Sequence, residues 1–193
     1  GASEARQGHL EEAALAYRTA SIDAPNDREI EDALIAIYRE VGEAEPLVEL
    51  LEKRLPFATA DEALALRLEL AALHADSRGA PREALAQLEA ILDLHPHHRE
   101  ACDRALALAE SLGDSERSLA LLERALEGPL PDPERAKRLE HRGHLLAGRI
   151  AGREEQPERA LPCFREALAL DPSRTSARQA LLDLLERLGR WPA

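Results

Sequence analysis

Five of the seven histidines offer the first chemistry to test. His95, His97 and His98 flank Pro96, and His141 and His144 stand three residues apart in a stretch with helical spacing. Two imidazoles three apart on a helix can share one metal ion. No HExxH-type pattern accompanies them, so they read as a solvated turn and a polar helix patch. The two cysteines, Cys102 and Cys163, each fall on an apolar helical stripe with no glycine-rich turn or base beside them. That setting suits buried spacers rather than nucleophiles. The carboxylate pairs Glu11-Glu12 and Glu154-Glu155 stand near helix starts, where negative charge favours the helix dipole. No glycine loop able to cradle a phosphate occurs. The residues therefore predict no catalytic group, no metal site and no cofactor.

The elements that carry these side chains follow from composition. Of 193 residues, 45% are apolar but only 3% aromatic, and Ala, Leu, Glu and Arg dominate. Such a mixture, without runs of β-branched residues, predicts helix throughout. A formal charge of −12 makes nucleic acid and anionic membrane surfaces poor partners and favours basic ones. No stretch approaches the ~20 apolar residues of a membrane span, so no membrane insertion is expected. Two cysteines outside any spaced framework suit a reduced, cytoplasmic setting. The chain starts at Gly1, contains no Met and opens in mid-pattern, which reads as a piece of a longer protein.

The pattern is a repeat. GHLEEAALAYRTASIDAP from Gly8, GAPREALAQLEAILDLHP from Gly79 and EQPERALPCFREALALDP from Glu155 share one length and one set of offsets. Ala13, Tyr17, Ala20 and Pro25 align with Ala84, Leu88, Ile91 and Pro96, and with Ala160, Phe164, Ala167 and Pro172. A second block fills the gaps from Arg28, Arg99 and Thr175, with Gly42, Gly113 and Gly189 aligned. Both blocks recur after 71 residues and again after 76, so one unit of two helical hairpins repeats. The five extra residues fall between Gly143 and Pro157. Repeats on this scale predict a solenoid.

Within each block the apolar residues step by three and four, as along Ala84, Leu88, Ile91 and Leu92. Glycine ends the first helix of a pair, and Pro46, Pro81 and Pro157 stand in the first turn of the second, where a missing N–H is tolerated. Ten helices follow, near 9–23, 28–41, 45–55, 61–77, 81–93, 98–111, 115–127, 133–150, 157–169 and 174–188. Residues 2–7 read as the tail of a preceding first helix. Ala13, Ala84 and Ala160 occupy the position where two helices cross so closely that a larger side chain would part them.

These features resemble the tetratricopeptide repeat, a helix-turn-helix unit with glycine at the inter-helix turn, Ala early in the second helix, an aromatic four residues on, Ala three further and Pro at the exit. Gly8 to Pro25 and Ala160 to Pro172 carry the match, with Tyr38 and Trp191 in further aromatic positions. The units from Arg28 and Arg99 depart from it, lacking the exit Pro and carrying Leu47 or Ser118 near the second-helix Ala. The resemblance implies an all-α, right-handed α-solenoid of stacked antiparallel helix pairs. One domain over residues 1–193 is expected, with about five repeat equivalents and partial repeats at both ends. It further implies that the first helices line a concave groove that holds a peptide or another protein's helix, usually without catalysis.

The corresponding first-helix faces present Glu29, Asp32, Ala36, Glu69, Glu100, Asp103, Arg104, Ala107, Lys137 and Glu140, with His141 and His144 beside them. Only Arg104 and Lys137 are basic and no Asn appears, so the Lys/Arg/Asn clamp that one subgroup closes on a C-terminal carboxylate is not expected. An acidic groove would favour a basic or mixed-charge protein or peptide. The leading expectation is a non-catalytic interaction scaffold; the alternative is a spacer array that holds flanking domains apart. Solenoid ends without polar caps would also allow end-to-end self-association.

Overall fold

A computed structural model describes residues 2–25, 27–148 and 156–190. Residues 149 and 150 of the expected eighth helix, Glu154, Glu155 and Trp191 lie outside the described residues. The chain divides into two compact units, Gly1–Ile91 and Leu92–Ala193. Among the described residues there are ten α-helices and no strand.

The first unit opens with α1 (Ala2–Asp23), then α2 (Arg28–Val41) and α3 (Ala44–Arg54), which runs on through a short 3₁₀ turn to Phe57. α4 (Ala60–Ala72) follows and passes into a π turn over Leu73–Ser77 before α5 (Pro81–Leu94), whose last turn belongs to the second unit. Consecutive helices pack on one another, α1 on α2, α2 on α3 and α3 on α4. Their shared core comprises Leu34, Ile35, Tyr38, Val48, Leu51, Leu66 and Leu70, spaced as the apolar stripes predict. Asp27 caps α2 by accepting from Glu29 N at 2.9 Å, and Thr59 and Glu62 close a capping box on α4.

The second unit holds α6 (Arg99–Ser111), α7 (Ser115–Glu127), α8 (Asp132–Ala147), α9 (Pro157–Leu170) and α10 (Thr175–Arg187). Each packs on the next, and α8 also touches α10, so successive first helices lie side by side. His98, one of the histidines weighed for metal, instead caps α6 by accepting from Ala101 N at 3.1 Å. The pair α8–α9 turns on Gly143, where an added Cβ would sit 2.7 Å from the Phe164 ring. Phe164 is fully buried there, edge-on to His144 with ring centroids 5.1 Å apart. Only glycine allows that ring to lie against the α8 backbone.

The first helices of the short units end as expected: Gly42 and Gly113 adopt φ of 81° and 69°, the left-handed conformation that terminates a helix. Ala84 and Ala160 are fully buried at the expected crossings, and Cys102 and Cys163 are buried free thiols. Burial pushes the Cys163 thiol above its ordinary pKa. The first copy differs. Residues 2–7 are no separate helix, because α1 continues from Ala2 through Gly8 to Asp23. An isolated glycine costs a helix only about 1 kcal/mol, too little to break it when no packed partner imposes a turn. Ala13 is correspondingly half-buried and Tyr17 exposed, while their third-copy counterparts Ala160 and Phe164 are fully covered.

Candidate functional site

In the first unit the first-helix face is tied up by ion pairs. Arg39 of α2 donates to both carboxylate oxygens of Glu69 on α4, each at 2.6 Å. The fork geometry of guanidinium on carboxylate makes this the strongest kind of surface pair. Glu69, expected on the groove face, bridges two helices. Asp32 turns to Arg54 of α3 at 2.5 Å, and Glu29 and Ala36 remain exposed on α2.

The second unit holds an open groove of about 420 Å³ between α6 and α8. Its walls are Arg99, Asp103, Leu106, Ala107 and Glu110 of α6 and Glu134, Lys137, Arg138 and His141 of α8. Four of the residues expected on the first-helix faces, Asp103, Ala107, Lys137 and His141, meet there. The floor is fixed by Arg138, whose side chain is only 5% exposed. It donates to Asp103 at 2.6 Å, to Glu134 at 3.3 Å and to the Cys102 sulfur at 3.4 Å. Burial works against its charge, but these acceptors outweigh it and hold the guanidinium pKa above its ordinary value. Arg99 adds contacts to Glu134 at 3.5 Å and Asp103 at 3.8 Å, and His141 meets Glu110 at 2.9 Å.

The remaining expected residues have other work. Glu140 is buried, and its carboxylate accepts from Arg174 and Ser176, fastening α8 to the start of α10. Burial opposes its ionisation, yet the Ser176 hydroxyl and the Arg174 guanidinium hold it below the usual carboxylate range. His144 meets Phe164 edge-on and approaches Glu140 at 3.8 Å. Arg104 pairs with Glu100 one turn away on α6 at 3.4 Å.

The α6/α8 face is therefore not acidic. Among its described lining residues Arg99, Lys137 and Arg138 balance Asp103, Glu110 and Glu134. Arg99, Leu106, Glu110, Glu134 and Arg138 were missed in the sequence, although one signal could have found them. Asp103, Leu106, Ala107 and Glu110 step by three and four, as do Glu134, Lys137, Arg138 and His141, so extending each stripe by a turn reaches them. Among the described residues no group of three His, Cys, Asp or Glu converges to hold a metal, and no helix is long and apolar enough to cross a membrane.

Residues 141–174, from the end of α8 through α9, match a family model described as a tetratricopeptide repeat. No curated protein matches the sequence. Solved structures of the same fold include MamA AMB-1, 19% identical over 93% of this chain and 85% of that one, with a TM-score of 0.53. MamA 41-end from Desulfovibrio magneticus RS-1 is also 19% identical, covering 84% of this chain and 85% of that one with a TM-score of 0.51. YrrB, described as a TPR protein with an unusual peptide-binding site, is 20% identical over 90% of this chain and 84% of that one, with a TM-score of 0.50. At such identities the likeness is one of fold.

Proposed function

We propose that this chain, a tetratricopeptide-repeat protein with the α-solenoid fold, is a non-catalytic interaction scaffold that takes a partner's peptide or helix in the groove between α6 and α8. The groove itself carries the reading. It is an open trough of about 420 Å³ that presents an apolar strip, Leu106 and Ala107 of α6, among charged side chains of both helices. Such a surface can bury one face of a segment and fix its register through polar contacts. Its balanced lining suits a mixed-charge ligand, and the overall charge of −12 attracts segments that are basic on average. YrrB, of the same fold, is described as having a peptide-binding site, which lends the reading support. We place the interaction in the cytosol, where two free thiols persist.

Ala107 and Ala36 stand 71 residues apart, the interval between Gly42 and Gly113, and both are exposed on first helices. Ala107→Arg fills the groove, whereas Ala36→Arg alters only the first unit's face. Against a peptide library, Ala107→Arg is expected to weaken capture at least about a hundredfold, or about 2.7 kcal/mol. Ala36→Arg should leave it unchanged. Equal behaviour of the two variants, or no specific capture by the parent, would favour a spacer.

A further inference from the structure

Six of the seven titratable side chains on the α6/α8 groove are paired with one another. Arg99 and Arg138 meet both Asp103 and Glu134, and His141 meets Glu110. Among the described residues lining this groove, Lys137 is the one cation without an acidic partner. It is exposed, one position before the buried Arg138 and opposite the Leu106–Ala107 strip of α6. The nearby acids Asp103 and Glu134 already meet the two arginines. The position 71 residues earlier holds Leu66, a buried core residue, so the preceding copy has no counterpart of this lysine.

An ammonium on a flexible stem beside an apolar strip is a point charge waiting for an anion. We infer that the groove selects a segment with one Asp or Glu side chain seated on Lys137, within a stretch that is otherwise neutral or basic. The second condition follows from the charge of −12, which repels a ligand acidic along its whole length. This inference rests on the groove reading above. It assigns to Lys137 the choice of one ligand residue.

A positional library of N-acetylated, C-terminally amidated peptides tests it, since blocked ends leave only side-chain acids to be read. Probed with the whole chain, the library should be enriched in Asp or Glu at one fixed position, on the order of tenfold. Lys137→Gln should abolish that preference and Lys137→Glu should replace it with Lys or Arg, while preferences at other positions persist. Circular dichroism melts should match the parent, because the side chain is exposed; if Lys137→Glu misfolds, Lys137→Gln decides. Enrichment without a fixed acid, or an acid preference that survives both substitutions, overturns the inference and leaves the groove reading standing. No enrichment by the parent, or enrichment unaffected by Ala107→Arg, overturns the groove reading and this inference with it.

Discussion

Arg39 and Glu69 bridge α2 and α4 in the first unit; 71 residues on, the matching positions hold Glu110 and Glu140. Two carboxylates cannot bridge, so each finds a separate partner: Glu110 takes His141, and Glu140 turns inward to Arg174 and Ser176. One exchange of Arg for Glu thus replaces the Arg39–Glu69 fork with a different set of ties, in which Arg138 and His141 of α8 meet Asp103 and Glu110 of α6 along the groove. In a helical repeat the backbone plan is copied from unit to unit, while the long charged side chains decide which faces stay open.

The largest expected effect concerns how α8 is held in place. Gly143→Val drives a branched side chain into the buried Phe164 ring and should cost about 3 kcal/mol, read as a lower Tm. The first unit has Ala72 and Leu88 at the aligned positions, so the double variant Gly143→Ala, Phe164→Leu should recover most of what Gly143→Ala loses alone. Strict additivity of the two substitutions would refute the contact as the cause.

Glu140 gives a smaller effect with a definite sign. Its folded pKa lies below the ordinary carboxylate value of 4.5, so its contribution is fully present above that value. It is lost as pH falls through the folded pKa. Glu140→Gln should therefore lower stability by about 1–2 kcal/mol at neutral pH and by much less in acid below that window. Melting curves across the acid range check this, and a deficit independent of pH would mean that the bond to Arg174 contributes little.

The smallest effect tests the bridge of the first unit. Arg39→Ala should cost no more than about 0.5 kcal/mol, because the pair is half exposed and screened by salt. Its effect should shrink in high salt, whereas that of Gly143→Val should not. A salt-insensitive loss of several kcal/mol would make the bridge a structural clamp rather than a tie on the surface.

Much of the fold is legible in the sequence because its causes are local. Gly42 and Gly113 end helices through a backbone preference that needs no distant partner, and Ala84 and Ala160 mark close crossings by their size alone. The candidate site was legible only by face. Asp103, Lys137 and His141 were assigned to the surface that became the groove, yet Glu69 and Glu140, read in the same way, serve as ties between helices. Helical phase gives the direction of a Cβ, but a glutamate or arginine can reach several ångströms to either side of it.

The order of helices, the breaks at Gly42 and Gly113 and the buried stripes were set by the sequence itself, because spacing, glycine and residue size act within a few residues; at Gly8 the same residue type left α1 unbroken. Pairing was settled by the tertiary structure alone. Arg138 chooses Asp103 and Cys102 some 35 residues away, and Arg39 chooses Glu69 from 30 away. Such choices depend on which helices are brought alongside, and they leave Lys137 facing the groove without an acid of its own.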